Sequence, residues 1–280
     1  MTGGNAESNA GQEGRNLLLR VAASLVLAPL AVAVAYIGGW FWTGLVTAAA
    51  IGLYLEWLTV IGERRLPLAM LGVVVLLAMG WAEAERFHVM DVSALVALGV
   101  VVAALFARDR RSWAVAGIGY ALAASIASSA LRRDPALGFV ALMFVLLVVW
   151  ATDIGGYFAG RLIGGPRLWP RVSPKKTWAG SIGGFAASLG IAAGFAACGF
   201  GRTVALLPLA AVLSTVAQLG DLFESAVKRK FGVKDSSHLI PGHGGLMDRL
   251  DGFVAAIVLA AIFGFLRGGA DGVGRGLMVW

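Results

Sequence analysis

The sequence predicts an all-α, polytopic integral membrane protein with about nine transmembrane helices. Of the 280 residues, 59% are hydrophobic and only 14% are charged, whereas a soluble domain carries roughly 25% charged residues. The mean hydropathy of +0.81 agrees with this composition. A soluble fold of this length has too little interior for so many apolar side chains, so lipid must cover many of them.

The predicted helices are apolar runs separated by short polar stretches. Their approximate bounds are 17–37, 40–61, 66–81, 92–107, 113–131, 136–152, 178–200, 204–222 and 252–266. Several runs are shorter than the ~20 residues that usually cross a bilayer, so the count of nine is approximate. The 39 glycines are scattered through these runs, which is typical of closely packed membrane helices.

The polar residues 1–16 predict a disordered tail, and residues 17–280 predict a single transmembrane catalytic domain with its motifs in 153–251. Ala31-Val32-Ala33 is similar to a signal-peptide cleavage site, but the first run is long enough to be retained as a helix. The single cysteine, Cys198, excludes an intrachain disulfide and a zinc site built from cysteines.

The basic residues indicate membrane topology rather than nucleic-acid binding. The net charge is +7, but Lys and Arg occur in short clusters between the apolar runs. With the N-terminus in the cytoplasm, seventeen of the 23 Lys and Arg residues fall on the cytoplasmic side, as the positive-inside rule requires. This orientation places the two longest polar segments, 153–177 and 223–251, on the cytoplasmic face.

The first polar segment contains the blocks Asp153-Ile-Gly-Gly-Tyr-Phe-Ala-Gly-Arg161 and Ser173-Pro-Lys-Lys-Thr-Trp-Ala-Gly180. Ser173 as N-cap and Pro174 at the first helical position predict that a helix begins here. Lys175, Lys176 and Thr177 in its first turn would then form an anion site. The same lysines would also suit snorkelling at the interface, and these residues alone do not decide between the two.

In the second segment, Asp221, Glu224 and Lys228 share one face if the preceding helix continues. The segment goes on through Lys228-Arg229-Lys230, Lys234-Asp235 and Pro241-Gly-His-Gly-Gly-Leu-Met-Asp-Arg-Leu-Asp251.

The end of this segment carries glycines and paired carboxylates. Gly244 and Gly245 follow His243 and would let the backbone approach a ligand closely. Asp248 and Asp251 are three residues apart, so a helix starting after Gly245 would aim both carboxylates the same way. An interfacial ion-pair network is the alternative, but clustering so many ionisable groups at a membrane boundary favours a functional site.

These residue types predict Mg²⁺-dependent chemistry on a phosphorylated substrate. Carboxylate oxygens suit Mg²⁺, which commonly binds one or two carboxylates together with substrate phosphates, and neighbouring cations suit a polyphosphate. The sequence contains no Gly-x-x-x-x-Gly-Lys-Ser/Thr loop and no zinc-type His/Cys ligand set. The residues alone do not identify either substrate.

The sequence resembles the phosphatidate cytidylyltransferase (CDP-diglyceride synthase) family. The resemblance is carried by Ser225-Ala-Val-Lys-Arg-Lys-Phe-Gly-Val-Lys-Asp235, by the block ending at Asp251, and by Gln218-Leu-Gly-Asp-Leu-Phe-Glu-Ser225 and Ser173-Pro-Lys-Lys-Thr-Trp178. The N-terminal half is similar only in its hydrophobic pattern and in Glu56-Trp57. Many members have Glu after the Trp of the Lys-Lys-Thr-Trp block, whereas this chain has Ala179, so a carboxylate there is dispensable or replaced.

The resemblance implies that a phosphatidate oxygen attacks the α-phosphorus of CTP and that pyrophosphate leaves. It implies Mg²⁺, with K⁺ as a second cation, a multi-pass protein of the cell inner membrane with a cytoplasmic active site, and a homodimer. The implied metal ligands are Asp221, Asp248 and Asp251. The implied catalytic residues are Asp221, Asp248, Lys228, Arg229 and His243, with His243 positioning rather than acting as a base. The implied substrate contacts are Ser173, Lys175, Lys176, Thr177, Ser225, Lys234, Gly244, Gly245 and Arg249.

Three other functions are alternatives to this one. A CTP-dependent polyprenol kinase would release CDP rather than pyrophosphate. A CDP-alcohol phosphotransferase would carry an Asp-Gly-x-x-Ala-Arg pattern, which is absent. A transporter would place charges at depth in several helices, whereas here they cluster at helix ends, with Glu56 as the main exception.

Overall fold

The computed structural model describes residues 28–85, 89–237 and 244–280. The predicted tail, the beginning of the first apolar run and His243 lie outside these ranges. Within them the chain forms ten helices and one two-stranded hairpin. In chain order these are α1 (Ala28–Ile37), α2 (Gly39–Val60), α3 (Leu66–Ala84), α4 (Val89–Phe106), α5 (Arg111–Arg133), α6 (Gly138–Leu162), β1 (Arg167–Trp169), β2 (Ser173–Thr177), α7 (Trp178–Ala197), α8 (Thr203–Lys230), α9 (Met247–Gly268) and α10 (Val273–Met278).

The predicted fold class is confirmed. Seven helices in the described part, α2, α3 and α5–α9, are long and apolar enough to cross a membrane. The described parts of α1 and α4 are apolar but shorter, which agrees with the prediction of about nine apolar helices. Large apolar side chains cover much of the outer surface, as expected where lipid is the solvent.

Two helices extend beyond the predicted ends of their apolar runs. Helix α6 continues to Leu162 and helix α8 to Lys230, whereas the sequence predicted ends at 152 and 222. Hydropathy reports where lipid contact stops, but backbone hydrogen bonds from each N–H to the carbonyl four residues earlier continue into polar sequence. The first part of each predicted polar loop is therefore the last two to three turns of a helix.

The predicted helix start at Ser173 is wrong. Residues Ser173–Thr177 form β2, which pairs antiparallel with β1 through Arg167↔Thr177 and Trp169↔Ser173. A proline disfavours the helical region for the residue before it, which keeps Ser173 extended. The N-cap of α7 is Thr177, whose hydroxyl accepts a hydrogen bond from the Gly180 amide at 3.1 Å. The two lysines therefore lie on a strand rather than in a first helical turn.

Glycines allow α6 and α7 to pack backbone against backbone. A Cβ atom added at Gly184 would lie 2.4 Å from the Thr152 carbonyl oxygen, and one at Gly180 would lie 2.8 Å from the Gly156 carbonyl oxygen. Small residues at regular spacing are the usual means by which membrane helices approach so closely. This packing holds the junction of β2 and α7 against the last turns of α6.

Aromatic packing fixes the last turn of α2. Trp57 is 1% exposed and its indole N–H donates to the Trp113 carbonyl at 2.8 Å. Its ring stacks with those of Trp113, Tyr120 and Phe223. The end of α2 is thereby packed against α5 and α8.

On the opposite end of the bundle, Asp134 connects α5 to α10. Its carboxylate accepts hydrogen bonds from the backbone of Ala136 at 2.9 Å and of Arg275 at 2.7 Å, and it forms an ion pair with the Arg275 guanidinium. Burial alone raises the pKa of Asp134, but the hydrogen bonds from Arg275, Ala136 and Leu137 outweigh burial and hold its pKa below the usual range.

Candidate active site

A cavity of about 830 Å³ lies where α6 and α8 end and α7 and α9 begin. The β1–β2 hairpin contributes one wall. Eight residues predicted as site residues line the cavity: Lys175, Lys176, Thr177, Asp221, Lys228, Asp248, Arg249 and Asp251. Residues separated by up to 76 positions in the sequence are thus brought together, because the extended ends of α6 and α8 face the starts of α7 and α9.

The strand β2 places its two lysines differently. Lys176 forms an ion pair with Asp221 of α8, and both side chains are about 30% exposed (28% and 30%). Lys175 also lines the cavity and is exposed. A substrate phosphate that entered the cavity would meet one paired and one solvent-exposed ammonium group.

A buried lysine connects α8 and α9. The Lys228 ammonium lies 2.5 Å from Asp248 Oδ1 and 3.0 Å from Glu224 Oε1. The other oxygen of Asp248, Oδ2, accepts from the Gly245 amide at 3.1 Å, the Ser236 amide at 3.2 Å and the Ser236 hydroxyl at 3.1 Å. Both groups are held in fixed positions, which is the preorganisation that charge stabilisation requires.

Three carboxylates besides that of Asp248 face the same space. Asp153, Asp221 and Asp251 all line the cavity. The negative charges of Asp251 and Asp221 act on the carboxyl group of Asp153. Clustered carboxylates at a membrane boundary repel one another and are stabilised by cations. Lys176 and Arg249 supply part of that positive charge.

Asp153 was missed as a site residue because the sequence placed it at the start of a loop. It lies two turns before the end of α6, on the face that α7 covers through Gly156 and Gly160. The available signal was a lone carboxylate directly after an apolar run, where an ionisable group requires a partner. Tyr157 and Arg161, one and two turns further along α6, also line the cavity and were missed.

The carboxylates fit a cation that takes few protein ligands. Across the ranges that the structure describes, no group of three His, Cys, Asp or Glu residues is assembled as a metal cage. Mg²⁺ does not need one, because it commonly keeps several waters and binds one or two carboxylates plus substrate phosphates. Asp221 and Asp251, with Asp153 beside them, supply oxygens of this type. Asp248 offers only Oδ1, which it shares with Lys228.

Other predicted site residues lie outside the cavity lining. Ser225 donates to Asp221 Oδ1 at 3.4 Å and thus supports that carboxylate. Arg229 is exposed and donates to the Val233 carbonyl at 3.3 Å. Lys234 is exposed, and Ser173 pairs within the hairpin.

The two glycines contact protein groups rather than the cavity. Gly244 has a φ of +82°, which favours glycine, and an added Cβ would lie 3.2 Å from Asp248 Oδ2. At Gly245 an added Cβ would lie 2.6 Å from Glu56 Oε2 and would overlap the Ser236 hydroxyl. The sequence predicted that a ligand approaches the backbone at these glycines, whereas the groups nearest to Gly245 are the Ser236 hydroxyl and the carboxylate of Glu56.

The chain is similar to known proteins over most of its length. A profile of the cytidylyltransferase family matches residues 18–266. A phosphatidate cytidylyltransferase of Brucella suis is 39% identical over 261 residues, which cover 89% of this chain and 93% of the relative. Phosphatidate cytidylyltransferases of Haemophilus influenzae and Bacillus subtilis are 42% and 40% identical over 139 and 132 residues, which cover 48% and 44% of this chain and 48% and 47% of those relatives.

Proposed function

Because the chain belongs to the cytidylyltransferase family, we propose that it transfers the cytidylyl group of CTP to phosphatidate, giving CDP-diacylglycerol and pyrophosphate. The observation that carries the proposal is a cavity at one end of a membrane-spanning bundle, lined by both cationic and carboxylate side chains. Phosphatidate keeps its acyl chains in lipid and its phosphate at the interface, whereas CTP arrives from water. A site at the helix ends is reachable by both.

The reaction makes one bond and breaks one. A phosphatidate oxygen attacks the α-phosphorus of CTP, and the bond between that phosphorus and the bridging oxygen of the β-phosphate breaks, so the electron pair leaves with pyrophosphate. Such transfers depend mainly on positioning and on neutralising the equatorial and leaving oxygens. The residues in the cavity supply positive charge for these tasks and need not supply a strong base.

Each cation has a separate place in this scheme. Lys228, held between Glu224 and Asp248, is a fixed charge for the reacting phosphate. Lys176 can exchange Asp221 for a substrate oxygen, because their ion pair is partly exposed and exposed pairs contribute little stability. Lys175 and Arg249 then bind the remaining phosphate oxygens at the rim.

We expect Asp221 and Asp251, with Asp153 nearby and Oδ1 of Asp248, to hold Mg²⁺. When bound there, Mg²⁺ supplies positive charge to phosphate oxygens. The carboxylates orient it relative to the fixed ammonium of Lys228. K⁺ as a second cation rests on the family resemblance alone.

We also propose that the protein lies in the cell inner membrane with this cavity open to the cytoplasm, and that it forms a homodimer. The orientation is supported by the Lys and Arg distribution along the sequence, because the predicted topology puts seventeen of 23 on the cytoplasmic side. The homodimer is expected from the family resemblance. Nucleic acid is not among the expected partners, because the basic residues belong to the topology pattern and the cavity.

The test is an assay of the purified chain in detergent with labelled CTP, phosphatidate and Mg²⁺. CDP-diacylglycerol and pyrophosphate should form in equal amounts, and neither should form when phosphatidate is omitted. Release of CDP with phosphorylation of a lipid alcohol would identify a CTP-dependent kinase instead. No nucleotide turnover with any phosphatidate would refute the proposal.

A further inference from the structure

The geometry points to Glu56 of α2 as a positioning residue for cytidylyl transfer. Its carboxylate holds the first residues of α9 in place, and these residues in turn orient the carboxylate of Asp248. This inference rests on the proposed function. Glu56 is 4% exposed and does not line the cavity, so it acts through other residues rather than on a substrate.

Four donors converge on the Glu56 carboxylate. Oε1 accepts from the Leu246 amide at 2.8 Å and the Ser237 hydroxyl at 2.5 Å. Oε2 accepts from the Met247 amide at 2.7 Å and the Ser236 hydroxyl at 2.9 Å. Each oxygen therefore takes one backbone amide and one hydroxyl, an arrangement that requires two acceptor atoms.

The two amides belong to the beginning of α9. The first N–H groups of a helix have no partner within the helix, and the N-cap residue here, Leu246, has an apolar side chain. Glu56 of a distant helix supplies the missing acceptor, and its negative charge lies at the positive end of the helix dipole. The first amides of α9 are thus bonded by a side chain of α2 rather than by the side chain of their own N-cap residue.

The same contacts reach Asp248. The Ser236 hydroxyl lies 2.9 Å from Glu56 Oε2 and 3.1 Å from Asp248 Oδ2, so its single proton is shared between the two carboxylates. The Gly245 amide donates to Asp248 Oδ2, and Gly245 has no room for a side chain because Glu56 and Ser236 occupy that space. Displacing Glu56 would therefore move the groups that orient Asp248.

Helix α2 provides a rigid support for this arrangement. Trp57, next to Glu56, is buried and hydrogen-bonded to the Trp113 carbonyl. Gly52, one turn before Glu56, leaves room for the Leu246 side chain, which an added Cβ would meet at 2.7 Å. One face of α2 thus receives both the side chain and the amide of Leu246.

Glu56→Gln is the informative change, because it keeps the size and removes one of the two acceptor oxygens. The new amide group must then face a backbone N–H that cannot turn away. Full-length protein in detergent should lose about 10- to 100-fold in kcat, as expected for a small displacement of a reacting group, with KM for CTP within about threefold of the original. Hydrogen exchange at the amides of Leu246 and Met247 should accelerate.

Glu83→Gln is the matched control, since Glu83 is a buried glutamate in α3 that pairs with Arg133 away from the cavity. It should retain kcat and the exchange pattern of α9 even if its melting temperature falls. If Glu56→Gln lowers kcat no more than Glu83→Gln at an equal loss of stability, the residue is only structural and the inference fails.

Ser236→Ala tests the same link in case Glu56→Gln does not fold. It should lower kcat severalfold, and full retention of kcat would contradict the link to Asp248. In the double variant Glu56→Gln, Ser236→Ala, the losses of kcat from the two single changes should not add, because neighbouring residues that interact deviate from additivity. An inactive parent protein would refute the proposed function, whereas unchanged exchange at Leu246 and Met247 in Glu56→Gln would refute the role of Glu56 whatever the activity.

Discussion

Lys176 of β2 forms an ion pair with Asp221 of α8, so a predicted phosphate-binding cation and a predicted metal-binding carboxylate neutralise each other before substrates bind. Binding of a metal and a triphosphate would separate them. Asp221 would then bind the metal cation in place of Lys176, and Lys176 would bind a phosphate oxygen in place of Asp221. The ion pair is therefore neutral before substrates bind. Its formation carries no large desolvation penalty, because both side chains remain partly exposed.

Replacing the lysines separately distinguishes substrate binding from snorkelling. A charge-assisted contact to phosphate contributes about 1.5–3 kcal/mol, so Lys175→Ala or Lys176→Ala should lower kcat/KM roughly ten- to a hundredfold. The substrate whose KM rises identifies the phosphate that each lysine meets. Lys176→Ala should also change the Mg²⁺ dependence, because Asp221 loses its partner. A double variant with unaltered kinetics would assign both lysines to membrane anchoring.

Asp248→Asn should abolish turnover while the protein accumulates in the membrane at normal levels. Its Oδ1 is the partner of Lys228 and its Oδ2 accepts three hydrogen bonds, so an amide cannot satisfy the same donors. Activity is measured across a Mg²⁺ titration, with exposed Asp271→Asn on the far side of the bundle as control. Near-normal turnover of Asp248→Asn at any Mg²⁺ concentration would show that Asp248 is not a catalytic residue.

Much of the site was predictable from spacing, because helices convert fixed intervals into shared faces. Asp221, Glu224 and Lys228 do share a face, and α9 does begin just after Gly245. Ser173 was misread as an N-cap because a β-hairpin depends on pairing between segments that local sequence does not display. Asp153 was missed because the end of an apolar run was equated with the end of a helix.

The role of Glu56 could not be read from the sequence for a different reason. Its partners are 180 to 191 residues away, and two of them are backbone amides, which every sequence contains. Hydropathy identified Glu56 only as a charge at depth, which a transport pathway would also show. The contact with α9 that explains it is a property of the packed helices.

Gly184→Ala should destabilise the contact between α6 and α7. The added methyl would lie 2.4 Å from the Thr152 carbonyl oxygen, and backbone cannot move aside as a side chain can, so about 1–3 kcal/mol should be lost. Gly190→Ala in the same helix meets nothing within 4 Å and serves as control. Thermal unfolding in detergent measures the difference, and equal melting temperatures for the two variants would contradict the predicted packing.

Asp134→Asn should lower stability at neutral pH, because the buried carboxylate holds the start of α6 and the backbone of Arg275. Its pKa is depressed in the folded protein, so its contribution is present above the unfolded value of about 3.9 and is lost as pH falls through the folded pKa. Thermal unfolding of the two proteins at several pH values should give a stability difference that is constant above about pH 4 and shrinks as pH falls further. A constant difference down to pH 3 would show that ionisation of Asp134 does not contribute.

Asp153→Asn tests the residue that the sequence did not select. Asp153 lines the cavity with Asp221 and Asp251 and feels their charge, so it belongs to the group that attracts the cation. Removing one carboxylate from that group should raise the Mg²⁺ concentration for half-maximal activity about tenfold or more, by analogy with other groups that support a metal. Saturating Mg²⁺ should restore part of the lost turnover, which it would not do for a residue that binds only CTP. If the Mg²⁺ dependence of Asp153→Asn matches that of Asp271→Asn, the cation is held without Asp153.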